Sequence, residues 1–133
     1  MIYWQSCIQQ SLLQPPPTQL SVITKTKSSY VYWQKLFPNF PKTFRFTLGA
    51  KIDALYLSLL ENLFIAEYIR KEKRIAYITQ ALTMCDLLKS FIQISWENKH
   101  LKEQQCILLS EGLVEINKML FRWKQYIEKT PQK

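Results

Sequence analysis

Residues 102–129, KEQQCILLSEGLVEINKMLFRWKQYIEK, decide the fold class of this chain. The apolar residues of this stretch recur at intervals of 3, 4, 3, 4, 3 and 4, in the order Cys106, Leu109, Leu113, Ile116, Leu120, Trp123 and Ile127. Such a seam forms one face of an α-helix and packs against other helices at a shallow crossing angle. The stretch therefore predicts a long helix that belongs to a helical bundle.

Three stretches earlier in the chain repeat the same spacing. Together with residues 102–129 they predict four helices, over about residues 18–37, 43–70, 74–96 and 102–129. Their apolar positions include Leu20, Ile23, Tyr30, Trp33 and Phe37 in the first helix, Leu48, Ile52, Leu55, Leu59, Leu63 and Ala66 in the second, and Ile75, Ile78, Leu82, Cys85, Leu88 and Ile92 in the third. Four helices with short connections and shared apolar stripes are typical of an up-down-up-down bundle. We expect an all-α, antiparallel four-helix bundle over residues 18–133.

Prolines predict the first helix boundary. The run Pro38-Asn39-Phe40-Pro41 ends the first helix, because proline lacks an amide donor and biases the preceding residue away from helical geometry. The second helix then begins between residues 42 and 47, with either Thr43 or Thr47 available as its N-cap. The sequence does not choose between these two threonines.

Two further boundaries rest on different signals. Residues 70–74, RKEKR, contain no glycine or proline, so a charged turn there is inferred from length. One unbroken helix over residues 47–95 would be about 70 Å long, too long for a domain of this size. Residues 1–17 carry no charge and end in Pro15-Pro16-Pro17, which cannot belong to a helix interior. We expect these residues to form a loosely ordered extension outside the bundle.

Composition restricts the class of protein. The chain has 133 residues, 47% of them apolar, and only two glycines, too few for an all-β fold built on many tight turns. Its formal charge of +8 suggests a polyanionic partner, with nucleic acid favoured over a small acidic metabolite. Neither a secretory signal nor an apolar run long enough to span a membrane is evident, so we expect a cytoplasmic protein.

The residues that catalysis or metal binding would require are sparse. His100 is the single histidine, it has no arginine four to seven residues upstream, and it is interpreted as a solvated loop residue. Cys7, Cys85 and Cys106 form no CxxC pair and are interpreted as buried free thiols. No glycine-rich phosphate loop can be built. We therefore expect no enzymatic activity, no metal and no cofactor, with a His100-dependent nuclease or toxin as the alternative from another class.

Three groups of cations are the candidates for binding a polyanion. They are Lys42, Arg45 and Lys51 before and within the second helix, Arg70, Lys71, Lys73 and Arg74 at the charged turn, and Lys118, Arg122 and Lys124 in the last helix. In an antiparallel bundle the first two groups lie at opposite ends, and the last helix ends near the second group. Lysine and arginine neutralise phosphates with little sequence preference. Any one of these cations taken alone is more simply explained as solvated surface.

The stretch at residues 40–49, FPKTFRFTLG, followed by a leucine-rich helix, resembles the signature of the accessory variability determinant (Avd) proteins of diversity-generating retroelements. Residues 115–120, EINKML, together with Trp123, resemble the C-terminal helix of that family, although Asn117 stands where the family usually has glycine. The four-helix bundle proteins encoded by intervening sequences of bacterial 23S rRNA genes share the architecture and provide the alternative assignment.

The Avd resemblance implies a function and an assembly. It implies a basic, barrel-shaped homopentamer of four-helix bundles that binds the reverse transcriptase of the element together with template RNA or DNA. The protein would support mutagenic reverse transcription without being an enzyme itself. By position, the resemblance implies that Lys42, Arg45 and the cations around Arg74 and Arg122 contact the polyanion. The alternative assignment implies association with ribosomal RNA instead.

Overall fold

The computed structural model describes residues 18–129, and their secondary structure is helical. The helices are α1 (Thr18–Leu36), the single turn α2 (Lys42–Arg45), α3 (Leu48–Tyr68), α4 (Lys71–Glu97) and α5 (Glu103–Lys129), with a short 3-10 helix at Phe37–Asn39 between α1 and α2. No strand is present between residues 18 and 129. The predicted all-α fold class with four long helices is confirmed. The expected extension, residues 1–17, lies outside the described residues.

Each long helix packs mainly against two others, so that α1 lies between α3 and α5, and α4 lies between the same two helices. The apolar seam predicted for the last helix is buried from Leu109 to Ile127, while Cys106 is only partly buried. In α3 and α4 the predicted stripes are buried except for Leu48, Ile75 and Leu82, which are half-buried. Because each fully buried leucine or isoleucine contributes roughly 1.5–3 kcal/mol, these stripes hold the helices together.

The predicted second helix, residues 43–70, is divided in the structure. A single turn at α2 is followed by Phe46 and Thr47, and only then does α3 begin. Thr47 occupies the N-cap position with φ −116° and ψ −93°, but its hydroxyl makes no capping hydrogen bond and lies 3.5 Å from the carbonyl oxygen of Thr43. A Cβ on Gly49 would lie 3.2 Å from the Phe44 carbonyl oxygen. A side chain at this position in the first turn of α3 would be crowded, and its neighbours would have to shift by a few tenths of an ångström.

The break between the second and third predicted helices lies earlier than expected. The prediction started the third helix near residue 74, whereas α4 begins at Lys71 after two extended residues, Ile69 and Arg70. Arg74 lies in the first turns of α4 and donates from Nη2 to the carbonyl oxygen of Glu67 at 3.2 Å. This hydrogen bond satisfies one of the carbonyl groups left open at the C-terminal end of α3.

Polar side chains fix how α1 sits against α3. Asp53 accepts hydrogen bonds from the hydroxyl of Tyr30 at 2.9 Å and from Nε1 of Trp33 at 3.2 Å. The hydroxyls of Ser29 and Tyr56 lie 2.8 Å apart. Burial raises the pKa of Tyr30, and the hydrogen bond to the Asp53 carboxylate raises it further. These pairs align the two helices at one register, because a shift of one residue would separate them all.

Two weaker contacts link the remaining helices. Asn62 of α3 lies 3.3 Å from the Met84 sulfur of α4, and Asn117 of α5 donates to the Asp86 carboxylate of α4 at 3.4 Å. The Asn117 side chain thus reaches across to α4.

Candidate nucleic-acid interface

Four cations surround the break between α3 and α4, and we call them the connection patch: Arg70, Lys71, Lys73 and Arg74. The Arg70 side chain is 82% exposed, and its guanidinium lies 4.0 Å from the Glu72 carboxylate. An exposed ion pair of this kind contributes little to the stability of the fold, because water screens the two charges. Lys71 and Lys73 are also exposed, and neither forms an ion pair with any residue between 18 and 129. Three of the four cations therefore face solvent.

Arg74 differs from its three neighbours. It is half-buried, its Nη2 is bound to the Glu67 carbonyl, and its Nε is enclosed without a hydrogen-bond partner among the described residues. The sequence predicts the same role for all four cations of the patch. The structure instead gives Arg74 a part in ending α3, which no local sequence signal indicates.

An apolar recess adjoins the connection patch, and the sequence analysis missed it. Phe64, Ile65, Tyr68 and Ile69 line an open recess of about 360 Å³. Tyr68 is 84% exposed although it is the last residue of α3. On the α1 side, the Lys27 ammonium lies 5.7 Å from the centre of the Phe64 ring. Helical spacing alone favours burial of these aromatics, so the signal that could have found them is their position next to a cation run.

The first basic group lies around α2 and the start of α3. Lys42 and Lys51 are exposed, whereas Arg45 is half-buried with an enclosed Nε that has no described partner. Phe46 is a largely exposed aromatic residue next to Arg45. The structure therefore keeps two of the three predicted cations available to a ligand.

The third basic group lies on α5. Lys118 and Arg122 are exposed and Lys124 is half-buried. Phe121, beside Arg122, is exposed as well. The three basic groups thus occupy three separate stretches of the chain, and the connection patch gathers the most cations in the shortest stretch.

His100 is not the solvated loop residue that the sequence predicts. Its ring lies 4.1 Å from the ring of Phe44 and 5.6 Å from that of Phe40, measured between centroids. Its Nε2 is enclosed and has no hydrogen-bond partner among residues 18–129. The imidazole therefore packs between two aromatic side chains and links the α4–α5 connection to the chain before α3. Within the described residues, no three His, Cys, Asp or Glu side chains come together as a metal site.

The thiols differ in burial. Cys85 is buried, and Cys106 is half-buried with its sulfur 4.0 Å from the Ser110 hydroxyl. Burial raises the pKa of the Cys85 thiol to about 12, and the neighbouring Asp86 carboxylate adds to the effect. At neutral pH this thiol is protonated and unreactive. Cys7 lies outside the described part of the chain.

Comparisons with known proteins establish the fold. No protein-family model matches the chain, and no curated protein matches it in sequence. A solved structure from Bacteroides thetaiotaomicron VPI-5482, of a protein of unknown function from the S23 ribosomal protein family, is similar with a TM-score of 0.75. The similarity covers 82% of this chain and 99% of that one, at 17% sequence identity. The two proteins share a helical fold. None of the helices within residues 18–129 is long and apolar enough to cross a membrane.

Proposed function

We propose that this protein binds nucleic acid and does not catalyse a reaction itself. The observation that carries the proposal is the connection patch, where Arg70, Lys71 and Lys73 are exposed within four residues of each other. Close cations of this kind release counterions from phosphates and bind polyanions without reading sequence. The net charge of +8 adds a long-range attraction for the same partners.

The specific role we propose is that of an accessory protein of a diversity-generating retroelement in the cytoplasm. In this role it binds the reverse transcriptase of the element together with template RNA or DNA, and supports mutagenic reverse transcription. The resemblance of residues 40–49 to the Avd signature supports it. The structure adds a physical reason for Gly49 in that stretch, because a Cβ there would press against the Phe44 carbonyl.

We further propose that neighbouring long helices run in opposite directions. The contacts that support this are pairs whose residue numbers rise on one helix as they fall on the next. Residue numbers fall along α1 as they rise along α3 in three contacting pairs: Trp33 with Asp53, Ser29 with Tyr56, and Lys27 with Phe64. The short connections between the long helices support the same up-down-up-down order.

Assembly into a homopentamer is part of the proposed role. Five copies would carry about +40 in total and would align several connection patches for one polyanion, so that binding strengthens by multivalency. Exposed apolar side chains on the outer face of α5, Ile107, Val114 and Phe121, provide surface for subunit contact. Light scattering at micromolar concentration tests the proposal. A mass of about 80 kDa is expected for five chains of 15.9 kDa, and a monomer mass would refute it.

The first experiment is purification of the protein from its native host at low salt, followed by sequencing of the nucleic acid that comes with it. We expect enrichment of one non-coding RNA encoded beside a reverse-transcriptase gene. A tagged reverse transcriptase expressed together with the protein should co-purify with it. Failure of this pair to associate would refute the retroelement role, whereas the absence of any bound nucleic acid would refute nucleic-acid binding.

A second candidate role is association with ribosomal RNA. It is favoured by one observation, the shared fold of this chain and a protein from the S23 ribosomal protein family. The same sequencing experiment separates the two roles, because enrichment of ribosomal RNA supports this second candidate and contradicts the first. The gene would then lie within an rRNA gene.

A further inference from the structure

The recess at the end of α3 exposes aromatic surface to water. Tyr68 is 84% exposed, and Phe64, one turn earlier on the same helix, is 39% exposed. With Ile65 and Ile69 they line a shallow recess that is open to solvent. Two exposed aromatic rings one turn apart on a helix offer flat apolar surface to a ligand. A partner that covers it must therefore have an apolar face.

Cations border this recess on two sides. Arg70, Lys71 and Lys73 follow Tyr68 directly along the chain, and the Lys27 ammonium lies 5.7 Å from the Phe64 ring centre on the α1 side. Ile69 and Arg70 are extended, so Lys71 lies at most about 10 Å from Tyr68 along the backbone. A ligand on Tyr68 is thus within reach of several positive charges.

We infer that this recess binds single-stranded nucleic acid, with a base stacked on Tyr68 and the flanking phosphates on Arg70, Lys71 and Lys73. The inference rests on the proposed nucleic-acid binding and specifies the form of the ligand. Aromatic platforms beside a positively charged track are the general means of holding single strands, because every base has a flat apolar face. In a duplex the bases stack on each other and cannot reach a protein ring.

Charge complementarity favours a single strand over the other two occupants considered for the recess. A second copy of this chain has a net charge of +8 and so brings no excess negative charge to the bordering cations, and the subunit contact proposed above lies on α5. Residues 1–17 of the chain carry no acidic side chain and therefore neutralise none of the bordering cations. A single strand supplies both the flat apolar groups and the negative charge that the site lacks.

The test measures the binding of a fluorescein-labelled 12-nucleotide RNA and of the matching duplex by anisotropy, over a series of salt concentrations. Tyr68→Ala should weaken single-strand binding by about 5- to 150-fold, the equivalent of roughly 1–3 kcal/mol of stacking. The slope of log K against log salt should not change, because no cation is removed. Tyr68→Trp should retain the affinity of the original protein. Binding of the duplex should be the same in all three proteins.

Leu57→Ala is the matched control. Leu57 is a 49% exposed apolar residue on the same helix, 11 residues before Tyr68, or about 16 Å along the helix axis. Its replacement removes exposed apolar surface away from the connection patch, so single-strand affinity should not change. An equal loss in Leu57→Ala and Tyr68→Ala would overturn the inference.

Other outcomes separate this inference from the proposal beneath it. If the original protein binds the single strand and Tyr68→Ala binds it equally well, the stacking site is wrong while nucleic-acid binding stands. If Tyr68→Ala weakens single strand and duplex alike, the site does not select single strands. If Tyr68→Ala keeps its RNA affinity but has a smaller particle mass in light scattering than the original protein, the recess is a contact with a second copy and the inference is wrong. Failure of the original protein to bind either RNA would overturn both proposals.

Discussion

Removing the exposed charges of the connection patch should weaken RNA binding in proportion to the phosphates they neutralise. The perturbation is Arg70→Gln, Lys71→Gln and Lys73→Gln combined, which leaves the core intact because all three side chains are exposed. Arg74 is kept because its bond to the Glu67 carbonyl stabilises the end of α3. Each lost single-strand phosphate contact lowers the salt slope by about 0.7, so three contacts lower it by about 2.

The slope converts directly into affinity. If the two proteins bind equally at 1 M salt, where counterion release contributes nothing, a slope difference of about 2 makes the variant roughly 100-fold weaker at 0.1 M salt. The assay is anisotropy with the labelled 12-nucleotide RNA between 0.05 and 0.5 M salt, with circular dichroism to show that helix content is unchanged. A variant with the original slope would refute the reasoning, because it would place the RNA elsewhere.

A matched control separates local charge from net charge. Lys35→Gln, Lys99→Gln and Lys102→Gln combined also remove three exposed positive charges, but none belongs to the connection patch. Beyond a Debye length of about 10 Å at 0.1 M salt, their effect on a bound strand is largely screened. The control should therefore keep the original slope, and an equal loss in both triple variants would show that only net charge matters.

Three further predictions concern stability, and urea unfolding measures each of them. Gly112→Ala should stabilise the protein by about 0.5–1 kcal/mol, because a Cβ there would meet only the Ser29 side chain at 3.5 Å. Gly49→Ala should not stabilise it, because its Cβ would lie 3.2 Å from the Phe44 carbonyl oxygen. Equal effects of the two changes on the free energy of unfolding would contradict this account. Leu113→Ala should cost about 2–5 kcal/mol because the side chain is fully buried, and an unchanged unfolding midpoint would show that this core position is misplaced. Burial raises the pKa of the Cys85 thiol from 9.0 to about 12. The free energy of unfolding therefore does not depend on this thiol well below pH 9, and it falls as the pH rises from 9 towards 12, because the thiol ionises first in the unfolded chain. Between pH 9 and 10.5 this loss is about 1–2 kcal/mol, and Cys85→Ala should show a correspondingly shallower decline.

The long helices could be predicted well from the sequence, because burial of one helix face requires apolar residues at intervals of three and four. This spacing can be recognised without knowing which helix packs against that face. In α5 the spacing of Leu109, Leu113, Ile116 and Leu120 is enough to identify the buried face, and all four are buried. Such a pattern is local and strong, so it needs no tertiary information. The same reasoning was weaker for α1, where Val22 and Thr26 are buried without belonging to the predicted stripe.

Features that depend on contacts distant in sequence could not be predicted. Helix periodicity treats residues 43–70 as one helix, and the division before α3 depends on how the chain turns over α2. His100 looked solvated because its neighbours in sequence are polar, yet it packs on Phe44, 56 residues earlier. Tyr68 has the spacing of a core residue, and its exposure depends on where α3 ends.

The α3–α4 connection combines a structural contact with the proposed polyanion site, and its composition does not separate the two. Arg74 is held by the Glu67 carbonyl and fixes the path of the chain from one helix into the next. Arg70, Lys71 and Lys73 are then presented from a backbone that is already ordered, since helices lie directly on both sides of a two-residue break. Binding from such an element costs less conformational entropy than binding from a long loop. A short, tightly tied connection is therefore a better polyanion site than a longer basic loop of equal charge would be.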